Sequence, residues 1–182
     1  QQPKYTDRIA KTRAGYDPDL YPDVNWMDAI ANDYASNQRV TVDISGGTET
    51  LRYSFVAAAY NERGILKRDK SYDWDPTIKL QRYNVRSNVD LKLSPTTQLR
   101  FNIGGYLQDR NSTTKDISQI FQKAFVAVPH AFTAQYSSGQ IPTTEEPNVW
   151  SWATQSGYKR RSDSKIETLF SVEQDLKFLL PG

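Results

Sequence analysis

Connectors of two lengths alternate along this chain, and no other feature restricts its fold so strongly. Five stretches carry apolar residues at every second position, the period of a strand with one apolar face. Residues 47–50 link the first pair, and 94–98 link the third to the fourth. The long links, 61–81 and 109–164, exceed the ~12–15 residues beyond which a structureless loop is uncommon. In an antiparallel meander, alternate connectors fall at opposite ends of the strands. One end is then all tight turns and the other all long loops. Transmembrane β-barrels of the outer-membrane type have that asymmetry, with short periplasmic turns and long extracellular loops.

The first strand, 39–46, sets Val40, Val42 and Ile44 opposite Thr41, Asp43 and Ser45. The second, 51–60, sets Leu51, Tyr53, Phe55, Ala57 and Ala59 opposite Arg52, Ser54 and Tyr60, with Val56 and Ala58 blurring its polar face. The third, 82–93, is the cleanest. Its Tyr83, Val85, Val89, Leu91 and Leu93 oppose Asn84, Arg86, Asn88, Asp90 and Lys92. The fourth, 99–108, sets Leu99, Phe101, Ile103 and Leu107 against Arg100, Asn102, Tyr106 and Gln108. Gly104 and Gly105 inside it mark a bend or a close backbone approach. The fifth, 165–180, alternates Phe170, Val172, Leu176 and Phe178 with Glu167, Ser171, Glu173, Asp175 and Lys177.

Four of these five runs reach the ~9–11 residues that a tilted strand needs to cross a bilayer. Strands of soluble domains more often have ~5–6. Both signs of charge on the polar face suit a water-filled or plugged lumen. A soluble sandwich with its polar face in bulk water has the same alternation, so periodicity leaves barrel and sandwich both open.

At 182 residues the chain can bury a core, and its net charge of +2 points to no acidic partner. A mean hydropathy of −0.70 fits a barrel as well as a soluble domain, because half of every barrel strand is polar. The absence of cysteine excludes disulfides, thiolate metal sites and cysteine nucleophiles. Residues 1–10 lack the basic-then-apolar profile of a signal peptide, which places any export signal upstream. Pro181-Gly182 is a turn pair straight after a long strand and predicts a sixth. Five strands cannot close a bacterial barrel, which begins at about eight, and an open sheet leaves bare edges. The chain therefore reads as a piece of something larger.

Ahead of the strands, 23–36 reads as a short amphipathic helix. Trp26, Met27, Ile30, Ala31 and Tyr34 fall at helical spacing, and Asn25 with Asp28 offers capping chemistry. The expected organisation is a loop-and-helix region over 1–38 and a partial barrel over 39–182.

Several of these segments resemble one family. Tyr21-Pro22-Asp23-Val24-Asn25-Trp26 is similar to the Tyr-Pro-x-x-x-Trp segment of the SusC/RagA-type TonB-dependent outer-membrane transporters of Bacteroidetes. The resemblance continues through Asn37-Gln38-Arg39-Val40, Ser45-Gly46-Gly47-Thr48-Glu49 and Tyr60-Asn61-Glu62-Arg63-Gly64-Ile65. It extends into the strand Arg82-Tyr83-Asn84-Val85-Arg86-Ser87-Asn88-Val89-Asp90. It covers 21–106, returns weakly at 170–182, and is absent from 111–164. What it implies is an early section of a barrel of about 22 strands, without the plug domain and the TonB box. It implies import of oligosaccharides, or peptides, across the outer membrane of a Gram-negative cell. A SusD-like lipoprotein would cap the barrel, TonB would energise it through the missing N-terminal region, and pairs of transporter and lipoprotein would dimerise. It places 47–50 and 94–98 in the periplasm and the long links outside the cell.

Enzyme chemistry has little to stand on. His130 is the sole histidine and follows Pro129 in a loop. No pair of carboxylates singles itself out for glycoside hydrolysis, and Gly104-Gly105 is no phosphate loop. Asp73 and Asp75 offer oxygen ligands of the kind Ca²⁺ takes, but in a spacing that equally makes a solvated turn, so no cofactor or metal is assigned. Glu145-Glu146 faces water. Lys159-Arg160-Arg161, read as loop, is either a solvated charge run or a contact for lipopolysaccharide phosphates; no basic stripe suggests nucleic acid.

Aromatic residues are the better lead. Trp74, Trp150 and Trp152 sit in the long links, where a flat ring either stacks on a sugar or packs within its own loop. Tyr53, Tyr83 and Phe101 fall on the apolar faces, as lipid-facing or girdle residues do. Trp26 anchors its helix. The candidate substrate contacts are thus Trp74, Trp150 and Trp152, and the candidate lumen-facing residues are Arg52, Asn84, Arg86, Asn88 and Asp90. The alternative is a soluble all-β carbohydrate-binding module with Trp150 and Trp152 as its platform.

Overall fold

A computed structural model describes residues 3–177. Five antiparallel strands form one open sheet in chain order: β1 (Ser36–Gly47), β2 (Leu51–Arg63), β3 (Lys79–Ser94), β4 (Thr97–Thr113) and β5 (Tyr158–Gln174). The meander and the short–long alternation of connectors are as the periodicity requires. The strands have 12, 13, 16, 17 and 17 residues, longer than the alternation alone marks out. β5 begins at Tyr158, so Lys159-Arg160-Arg161 opens a strand instead of lying in a loop. Asp175, Leu176 and Lys177 follow its end, while Phe178 and the turn pair Pro181-Gly182 fall outside the described residues.

Both tight turns are closed by their own hydroxyls. Thr48 Oγ1 accepts from the backbone N–H of Thr50 and Leu51 at 3.3 and 3.2 Å, and Ser94 Oγ accepts from the N–H of Thr96 at 3.2 Å.

Helices are more numerous than the sequence pattern suggests. In place of one short helix there are four among the described residues: α1 (Pro3–Ala14), α2 (Trp26–Ile30), α3 (Ile117–Val126) and α4 (Val149–Thr154). The helix expected over 23–36 is confined to α2. Asn25 caps it, its Oδ1 accepting from the N–H of Met27 and Asp28 while its Nδ2 donates to Asp28 at 2.6 Å. It stops at Ile30 because the backbone there turns extended and pairs with the 61–81 link. Lys67 N–H donates to Ile30 O at 2.7 Å, and Asn32 N–H to Ile65 O at 2.8 Å. Tyr34, expected on the helix's apolar side, is exposed.

The chain forms two compact units. One comprises residues up to Ser36, Arg63–Lys79 and Asn111–Arg160; the other comprises Asn37–Glu62, Leu80–Arg110 and Arg161 onward. The first unit has a core of its own, where Trp26, Ile30, Leu66, Ile120, Ala124, Val149 and Ala153 are buried together. Trp26 anchors α2 in this core, its ring edge-on to Phe132 at 5.4 Å. The second unit is the body of the sheet, and none of its described residues belongs to that core. No helix among the described residues is long and apolar enough to cross a membrane, a statement that does not bear on strands.

Candidate functional site

Strand pleating sends Arg82, Asn84, Arg86, Asn88, Asp90 and Lys92 of β3 to one face of the sheet. Cross-strand contacts show which neighbours share that face. Asn88 Nδ2 donates to Ser54 Oγ of β2 at 3.1 Å. Arg82 lies over the Tyr106 ring of β4, 4.5 Å from its centroid, and its Nε donates to Asn84 Oδ1 at 3.0 Å. Arg100 of β4 grips Glu173 of β5 in a bidentate pair of 3.0 and 3.2 Å and lies 3.9 Å from Asp90. Lys165 and Glu167 of β5 pair at 2.5 Å. Four of the candidate lumen-facing residues, Asn84, Arg86, Asn88 and Asp90, thus belong to one polar surface. Arg52 is exposed near the 47–50 turn of β2.

Asn84 and Arg86 line a cavity of ≈ 410 Å³ on this face, together with Arg82, Tyr106, Lys165 and Glu167. A second cavity of ≈ 280 Å³ is shared by Arg86 and Asn88. Gly104 leaves room for them, since a Cβ there would have nothing closer than 3.6 Å.

The opposite face is apolar and exposed. Val40, Val42 and Ile44 of β1, Tyr53 and Phe55 of β2, and Tyr83 and Val85 of β3 present their side chains outward. So do Phe101, Ile103 and Leu107 of β4 and Phe170 and Val172 of β5, and Ile166 reaches 80% exposure. Single exposed hydrophobes are ordinary, but here they gather on one face of the sheet.

The three tryptophans do not form one platform. Trp74 stands in an aromatic group of the first unit, 5.2 Å from Tyr72 and 6.3 Å from Tyr158, nearly parallel to the latter at 27°. Tyr72 and Tyr158 are both exposed, so the group offers a ring surface to solvent. Trp150 and Trp152 lie on α4 and pack against the core of that unit. The indole Nε1 of Trp150 is buried without a hydrogen-bond partner, and Lys115 Nζ covers the ring of Trp152 at 4.8 Å from its centroid. Tyr158 escapes a sequence reading because it is far from Trp74 along the chain. Tyr106 and the Arg100–Glu173 pair escape it because they depend on strand register.

Beside the aromatic group, burial works to raise the Asp75 carboxyl. The Lys79 ammonium at 2.6 Å and the hydroxyl and N–H of Thr77 outweigh it and hold Asp75 below the usual carboxylate range. Both oxygens of Asp75 are therefore engaged, and among the described residues no cluster of acids and histidine is arranged to hold a metal ion. His130 is exposed, and its carbonyl accepts from Arg8 at 2.9 Å.

The sequence matches no protein-family model and no curated protein.

Proposed function

We propose that this chain is a section of the wall of a large outer-membrane β-barrel, of the TonB-dependent kind that the SusC/RagA resemblance implies. Its work is passage of an oligosaccharide or peptide along the polar face, with no bond made or broken. A SusD-like lipoprotein would deliver the solute at the surface and TonB would supply the energy. The observation that carries this reading is the sheet itself, whose strands of 12–17 residues expose one apolar face and place both signs of charge on the other. Lipid favours such an apolar face, whereas in water it drives aggregation. The two edges of the open sheet, β1 and β5, are where further wall strands would pair. The exposed rings of Tyr72 and Tyr158, with the half-buried Trp74 between them, suit stacking on a saccharide.

The test uses single cysteines, which this chain otherwise lacks. Nitroxide labels at Val42, Phe101 and Phe170 should respond to dissolved oxygen in outer-membrane vesicles, and labels at Asn88, Arg100 and Glu173 to a water-soluble nickel chelate. A chelate that reaches both sets equally, on a protein that stays dispersed without detergent, overturns the barrel and favours the soluble carbohydrate-binding module.

A further inference from the structure

We propose that the polar face of the sheet carries an anion-binding station, built by Arg82 and Arg86, for the carboxylate or sulfate groups of an acidic saccharide. The proposal rests on the transport reading and narrows the substrate class of that lumen.

The argument begins with unequal treatment of three arginines on one face. Arg100 is satisfied, bidentate to Glu173 at 3.0 and 3.2 Å with Asp90 beyond. Arg82 and Arg86 have no carboxylate within ion-pair distance among the described residues. The acid that lines their cavity, Glu167, is held by Lys165 at 2.5 Å and also lies within electrostatic reach of Arg86. Three cations therefore face one carboxylate around the ≈ 410 Å³ space.

Arg82 is also pre-positioned. Its Nε is occupied by Asn84 Oδ1 at 3.0 Å and its plane rests on Tyr106, so its orientation is set before any ligand arrives. Its two Nη groups have no acceptor among the described residues. A guanidinium presents its donors as a planar fork that matches the oxygens of a carboxylate or sulfate.

The spacing favours a chain molecule over a single small ion. Residues four apart on a strand have Cα atoms ~13 Å apart, so two charged groups on one extended saccharide meet both arginines. Asn84 and Asn88 add amide groups of the kind that pair with sugar hydroxyls. Gly104 keeps the space open, because a Cβ there would come only within 3.8 Å of Arg86 Nε and any longer side chain would fill the cavity.

The test is calorimetric titration of the full-length protein in detergent micelles with tetragalacturonic acid, sulfated maltotetraose and neutral maltotetraose. At low salt at least one acidic probe should bind about tenfold tighter than the neutral one, and the preference should shrink as salt rises. Arg82→Gln with Arg86→Gln should abolish the preference. Gly104→Leu should do the same with both charges in place, circular dichroism confirming that each variant is folded. Equal binding of acidic and neutral probes, binding of none, or a preference that survives the double variant overturns the station. A protein that needs detergent yet shows no preference keeps the transport reading and loses the station. One that stays dispersed without detergent but shows the arginine-dependent preference does the reverse.

Discussion

Gly105 passes so close to Lys165 that a Cβ added to the glycine would lie 2.5 Å from the lysine's carbonyl oxygen. That oxygen belongs to the backbone of β5 and cannot swing aside as a side-chain tip would. Gly105→Ala must therefore push β4 and β5 apart, at a cost of about 1–3 kcal/mol. The neighbouring Gly104→Ala meets nothing closer than 3.6 Å and should stay within about 1 kcal/mol of the parent. Denaturant unfolding of the two variants side by side checks the contrast. Equal effects would mean that the close approach is not what keeps glycine at 105.

Asn148 is the residue on which α4 depends. It is 5% exposed, its Oδ1 accepts from Ser151 N–H at 3.2 Å, and its Nδ2 donates to the carbonyls of Thr133 and Ala134 at 3.2 and 3.0 Å. Asn148→Ala removes a helix cap and strands two carbonyls, a loss of about 2–4 kcal/mol. Asn148→Asp keeps the cap but sets a carboxylate against those carbonyls, so it should not rescue. Thermal unfolding followed by far-ultraviolet circular dichroism distinguishes the two roles. Recovery with aspartate would mean that capping is all the side chain does.

The contrast between these residues marks how far the sequence is legible. Period-two alternation identifies all five strands and both of their faces, because the pleat acts on each residue through its immediate neighbours. It stops short at most of their ends and overruns the last, since β5 finishes at Gln174 instead of continuing to 180. β4 runs past Gln108 through Asp109, Arg110 and Asn111, where alternation fails but pairing with β5 persists, and Ser162 donates to Asp109 there. Gly105 is recognisable as a site of close approach, though not which backbone it meets. α3 falls inside the 109–164 link and is missed by a reading that treats the link as loop, although Asp116 caps it and Ile117, Ile120, Phe121 and Ala124 stand at helical spacing. α4 has no such spacing, since six residues are too few for a period and its cap draws on residues 133 and 134. Trp74, Trp150 and Trp152 look alike in sequence. Only tertiary contacts separate an open aromatic group from two rings laid on a core.

Acid should loosen the unit that contains Asp75. Its carboxyl is held below the usual range, so its folded form favours the carboxylate more than the unfolded chain does. The resulting stability is present above the ordinary carboxylate range and is lost as pH falls through the lowered folded value. Asp116 adds to this with the same sign, its carboxylate stabilised by the hydroxyl and N–H of Ser118. Asp75→Asn should cost about 1–2 kcal/mol at neutral pH by loosening Lys79. It should also flatten the acid limb of a stability–pH curve. A variant whose acid limb matches that of the parent would clear Asp75 of any part in it.

The tryptophans should divide into one that binds and one that holds the fold. Trp74 shares a solvent-facing group with Tyr72 and Tyr158 and contributes nothing to the buried core. Trp74→Ala should therefore leave unfolding within about 1 kcal/mol of the parent. If the proposed saccharide passes over this group, the same change should weaken its binding about five- to tenfold through lost stacking. Trp150 packs on the core formed by Ile120, Val149 and their neighbours, so Trp150→Ala opens a cavity and should cost about 3–5 kcal/mol. Trp150→Phe keeps an aromatic ring on the core and removes the indole N–H, which is buried without a partner, along with part of the ring system, and should recover part of that loss. Calorimetric titration with tetragalacturonic acid, paired with denaturant unfolding, reads both quantities on each variant. A Trp150→Ala protein that unfolds like the parent and fails to bind the sugar would exchange the two roles.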